Sequence, residues 1–177
     1  MHAAARRLRA NAPLARERSE RLIASLGNRP EVEQATLTDL RDAAMKAARL
    51  AGVEPDISGE GSAWVAPGLL ARALDNLFVN IATAWREGAT SGPVLHLRTA
   101  TGPEAMTELD FFSPWPPQTA PLAAEKLFEP FASGRPGGLG LGLYQARKSL
   151  REAGGDLQAT PAPEGLTFLL RLPARHP

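Results

Sequence analysis

The chain has 177 residues, with 20 Lys+Arg against 19 Asp+Glu and a formal net charge of +1. Such a length predicts one domain, or one domain plus an appendage. The near-neutral balance argues against a protein whose main task is gripping nucleic acid, which needs a concentrated basic face. Cysteine is absent, which excludes a disulfide framework, a thiolate metal site and a cysteine nucleophile.

No apolar run approaches the roughly 18 residues that span a membrane. The opening Met1-His2-Ala3-Ala4-Ala5-Arg6-Arg7 lacks the apolar stretch of a secretory signal. No membrane segment and a cytoplasmic location are therefore expected.

In chain order, Leu8, Ala12, Ala15, Ser19, Leu22 and Leu26 recur at spacings of four and three. They predict one long helix over 1–27 with a narrow apolar seam of the kind that packs on another helix, from another chain or a missing segment, the alternative being a helix that lies on its own domain. Pro13 should kink it, and Gly27-Asn28-Arg29-Pro30 should stop it. A globular region then begins. Thr38 is placed as N-cap of a short amphipathic helix carrying Leu40, Ala43, Ala44, Ala47 and Leu50 and ending at Gly52. Val53 to Ile57 and Ala63 to Val65 read as strands around the turn Gly59-Glu60-Gly61.

Pro67 opens a strong helix over about 68–87, with Leu70, Leu74, Leu77, Ile81 and Ala84 on one face. Strands are expected at Val94 to Arg98 and Met106 to Phe112. A Pro/Gly-rich stretch from Ser113 to Gly138 holds an apolar island, Leu127 to Phe131. A helix over about 139–153 stops at Gly154-Gly155. Strands at Asp156 to Thr160 and Gly165 to Leu172 close the chain. Helices and hairpins in this order suggest a two-layer α+β sandwich.

Three features could carry chemistry. Asn76 and Asn80 lie four apart on a helix, so both carboxamides share a face. A carboxamide oxygen is a hard neutral ligand suited to Mg²⁺ that bridges phosphates. Taken alone, two such asparagines more often cap or bond a neighbouring loop. Gly137-Gly138-Leu139-Gly140-Leu141-Gly142-Leu143 runs straight into a helix. Glycines let backbone N–H groups approach phosphates, and the helix start adds partial positive charge; otherwise the run is a flexible loop. Asp110 ends a strand, where a carboxylate could accept the amino group of adenine or simply begin a turn.

Together these features resemble the ATP-binding catalytic domain of bacterial sensor histidine kinases, which has the Bergerat ATP-binding fold. The resemblance covers about residues 34–173. It implies that Asn76 and Asn80 fall on the N box, with Asn80 as the Mg²⁺ ligand and Asn76 as the polar group near the phosphates. Leu127 to Phe131 match the F box that anchors an ATP lid over roughly 114–137. Arg135 falls where a lid cation meets the γ-phosphate. Gly138, Gly140 and Gly142, with Leu143, match the second glycine box, and Thr167 matches a threonine near adenine.

The first glycine box departs from the family's D-x-G-x-G: Asp110-Phe111-Phe112-Ser113-Pro114 keeps the Asp and loses both glycines. Those glycines permit close approach to the nucleotide, so a weakened site is implied.

No histidine has the phosphoacceptor context, since His2, His96 and His176 stand outside any H-[ED]-x-[RK]-x-P. Residues 1–30 look like the second helix of a dimerisation hairpin, and 31–177 like the ATP-binding domain. The resemblance implies ATP and Mg²⁺ as cofactors. It also implies a phosphoacceptor histidine helix and a response regulator as partners, and a homodimer through 1–27. The alternatives are a degenerate docking scaffold that binds no nucleotide, and a serine-kinase anti-sigma factor of the same fold. A leading helix weighs against the second.

Overall fold

The structure, a computed structural model, describes residues 33–86, 94–99, 105–114, 124–132, 140–163 and 165–175. The expected helix over 1–27, the loop after the long helix and most of the expected lid lie outside the described residues, as do His2, Arg135, Gly138 and His176.

Two strands and a helix open the described region. Strand β1 (Thr36–Asp39) leads directly into α1 (Leu40–Leu50). Asp39, rather than the expected Thr38, caps α1, its carboxylate accepting the Asp42 N–H at 2.9 Å. The reason is that β1 stays extended through Asp39, which pairs with Ser62 of β3 (Ser62–Val65). A four-residue strand before the helix was not legible in the hydropathy.

The expected hairpin around Gly59-Glu60-Gly61 does not form either. β2 (Asp56–Ser58) pairs in parallel with β4 (Val94–Thr99), whereas β3 pairs with β1. Ile57 is buried on the main sheet and Ala63 and Val65 are buried in β3, so each strand serves a different neighbour. The buried Thr107 hydroxyl donates to the Ser62 carbonyl at 2.6 Å, fastening β3 to the main sheet.

The main sheet has the order β2-β4-β5-β7-β6, with β5 at Met106–Pro114, β6 at Asp156–Ala162 and β7 at Gly165–Pro173. Its pleat sorts residues cleanly, because successive side chains point to opposite faces. Leu97, Leu109, Phe111, Leu157, Phe168, Leu170 and Leu172 are buried on one face. Helix α2 (Pro67–Arg86) covers that face with Leu70, Leu74, Leu77, Phe78 and Ile81, all fully buried. Phe78, Phe111 and Phe168 stack in series, with ring centroids 5.9 and 5.6 Å apart, and so lock α2 to β5 and β7.

Helix α3 (Gly142–Glu152) packs beside α2. The molecule is thus a two-layer α+β sandwich from Gln34 onward, as expected. Among the described residues, no helix is long and apolar enough to cross a membrane.

Candidate functional site

The asparagines and the glycine-rich helix start meet. Leu77, Phe78 and Ile81 are buried in the core, which fixes the rotation of α2 and leaves Asn76 and Asn80 half-buried on its flank. The Asn80 side-chain amide donates to the Asn76 backbone carbonyl at 2.9 Å. That bond commits the nitrogen and turns the carboxamide oxygen, the atom a hard cation prefers, in the other direction. Gly142 opens α3 directly against this pair. A methyl group on its Cα would lie 3.6 Å from Asn80 Nδ2 and 3.7 Å from Asn76 Oδ1. Segments more than sixty positions apart in sequence therefore meet here.

Gly140 explains why α3 starts at Gly142 rather than near residue 139. It takes a left-handed φ of 63°, and its carbonyl accepts the Phe131 N–H at 3.1 Å. A Cβ there would stand 2.6 Å from the backbone of Phe131 and Ala132, so only glycine fits. This clasp joins Phe131 to Gly140, with Phe131 itself at φ 66° and largely exposed. Leu141, at the N-cap, offers no side-chain hydrogen bond to the helix start. The first turn of α3 thus keeps N–H groups that an anion can satisfy. Leu143 packs on the core.

The first two residues of the expected F-box segment, Leu127 and Phe128, end a short 3₁₀ turn, Ala124–Phe128. Phe128 is buried, and the Arg147 guanidinium lies 4.6 Å from its ring centroid. Arg147 also meets Asp156 at 3.1 Å, and Arg151 meets the same oxygen at 2.8 Å. Burial alone would raise the Asp156 carboxyl. Hydrogen bonds from Arg151, Arg147 and the Leu157 N–H overcome this and hold it well below the usual carboxylate range. The two arginines tie α3 to β6, and Arg147 also ties it to the 3₁₀ turn, a link that the isolated motifs did not signal. Asp75, next to Asn76, serves the other side of α2: burial pushes its carboxyl up, against the opposing charge of Lys46 on α1.

Two expected site residues stand apart from this cluster. Asp110 alternates with the buried Leu109 and Phe111, so its side chain lies on the opposite face of the sheet. There it pairs with Arg98, in a network that includes Glu108 and Arg171. Thr167, between the buried Leu166 and Phe168, is likewise on the far face, opposite Phe112. The structure brings Asn76, Asn80 and Gly142 together, sets Gly140 against Phe131 and Ala132, and does not bring Asp110 or Thr167 to the asparagines. Strand parity could have found this: Phe111 is the apolar residue of the alternation, so its neighbour Asp110 must face away.

No family model matches the chain. A segment is 45% identical over 58 residues, 31% of this chain, to the sensor protein TorS of Escherichia coli (strain K12); that match spans 6% of TorS. Among solved structures, the mycobacterial sensor histidine kinase MprB superposes with a TM-score of 0.62 at 23% identity, over 80% of this chain and 98% of that one. The chain has the fold seen in the sensor histidine kinase MprB and resembles the sensor protein TorS in sequence over a shorter segment.

Proposed function

We propose that the chain is the C-terminal kinase region of a two-component sensor histidine kinase. It would bind Mg-ATP and pass the γ-phosphoryl to a histidine on a dimerisation helix. The contact of Gly142 with Asn76 and Asn80 carries the reading, because it sets carboxamides against an open helix start. The residues fit the phosphate end of a nucleotide. Backbone N–H groups of the first turn of α3 would bind phosphate oxygens, and the Asn80 carboxamide would hold Mg²⁺. When bound, the cation offsets the negative charge of the phosphates.

The remaining work of this chain is placement and charge, which is most of what phosphoryl transfer asks of a protein. Asn76 holds the Asn80 amide through its carbonyl. Gly140 fixes where the lid returns to the helix, and Arg135 is the proposed lid cation. Residues 1–27 are the proposed dimerisation segment, with a response regulator as the receiving partner in the cytoplasm.

Titration calorimetry with Mg-ATP tests this reading. Binding in the micromolar range that Asn80→Ala removes supports it. A second reading, a scaffold that binds no nucleotide, is favoured by Pro114, which replaces a glycine and lacks an N–H. No heat at millimolar Mg-ATP would establish the scaffold.

A further inference from the structure

The sheet turns a different pair of residues toward the helices from the pair that the motif alignment suggests. Ser113 and Leu166 lie on the same face as Phe111 and Phe168, and they are cross-strand partners of β5 and β7. Ser113 is 6% exposed and Leu166 8%. Among the described residues, the Ser113 hydroxyl has no hydrogen-bond partner, and its oxygen is not among the fully sealed unpartnered atoms, so it stays open to a partner from outside the chain.

Connectivity puts this pair at the glycine end of α3. The helix finishes at Glu152, and a short link leads to Asp156, which pairs with Arg171 near the far end of β7. Since α3 packs on β6 and runs back along it, Gly142 lies toward the end where Ala162 pairs with Gly165. The exit of α2 agrees: β4, which follows it, has Leu95 opposite Phe111.

We propose that Ser113, with Leu166 beside it, forms the base-reading end of the nucleotide cleft, and that this end takes purine nucleoside triphosphates without preferring adenine. The inference rests on the nucleotide reading above. A carboxylate only accepts hydrogen bonds, so it selects the 6-amino group of adenine and repels the 6-oxo group of guanine. A hydroxyl both donates and accepts, so it satisfies either edge. Leu166 offers an apolar surface to a ring face and no polar discrimination.

Calorimetry with Mg-ATP and Mg-GTP on the full chain decides the matter. Wild type should bind both with affinities within about threefold. Ser113→Asp should shift the ratio at least tenfold toward ATP, the usual size of a mismatched buried polar contact. Ser113→Ala, which removes no volume that packing needs, should weaken both nucleotides alike. Asp110→Asn and Thr167→Val should leave both unchanged. A wild-type preference for ATP above tenfold that Asp110→Asn abolishes would overturn the inference and keep the nucleotide site. Silence with both nucleotides, in wild type and Ser113→Asp alike, would overturn the site itself and this inference with it.

Discussion

Gly142 separates what the fold needs from what the cleft needs. It has no left-handed φ, and an added Cβ would make only ordinary contacts, at 3.6 to 3.9 Å, with Asn80 and Asn76. Packing therefore tolerates alanine. Gly142→Ala should stabilise the chain by about 0.5 kcal/mol, through lower entropy of the unfolded state, and raise the melting temperature by about 1–2 °C. The same methyl group fills the space between the start of α3 and the two carboxamides. Loss of one charge-assisted phosphate contact costs about 1.5–3 kcal/mol, or roughly ten- to a hundredfold in affinity. Thermal denaturation and Mg-ATP calorimetry on the same sample measure both effects. A variant that melts lower than wild type, or that binds nucleotide as tightly, would refute the reasoning.

Gly140→Ala should behave in the opposite way. The left-handed backbone costs about 1 kcal/mol, and overlap with the backbone of Phe131 and Ala132 should bring the total to about 2–4 kcal/mol, lowering the melting temperature by roughly 5–12 °C; a loss under 1 kcal/mol would contradict the clasp. Asp156→Asn removes the acceptor shared by Arg147 and Arg151 and should cost about 1–2 kcal/mol at neutral pH. Since folding lowers the Asp156 carboxyl, its contribution is present above the usual carboxylate value of about 4 and fades as the pH falls through the folded value. The gap between the urea midpoints of wild type and Asp156→Asn should therefore begin to narrow below about pH 4, and a constant gap down to pH 2 would contradict this.

Much of the α+β sandwich was legible because its helices carry strong periodicity. The pattern of Leu70, Leu74, Leu77 and Ile81 behind Pro67 predicts a helix that matches α2 to one residue at each end. Strands with one buried face, such as β5 and β7, were equally readable. β1 was not, since Thr36 to Asp39 buries little and exists by pairing with β3 across intervening chain. The parallel partnership of β2 with β4 is also non-local, and the Gly59 turn between β2 and β3 imitates a hairpin.

At the site, the asparagine spacing and the glycine run identified two segments, yet only tertiary packing shows that they touch. Motif alignment placed Asp110 and Thr167 by sequence similarity alone. The pleat sorted them to the far face, with Ser113 and Leu166 facing inward. The start of α3 was misjudged by three residues because the left-handed turn at Gly140 belongs to a contact with Phe131.

The central claim is that a nucleotide's phosphates sit between the flank of α2 and the glycine start of α3. Two-dimensional amide spectra recorded during a Mg-ATP titration test it directly. The largest shifts are predicted at the side-chain amides of Asn76 and Asn80 and the backbone N–H groups of Gly140, Gly142 and Leu143. Saturating Mg-ATP that leaves these resonances unmoved would contradict the account.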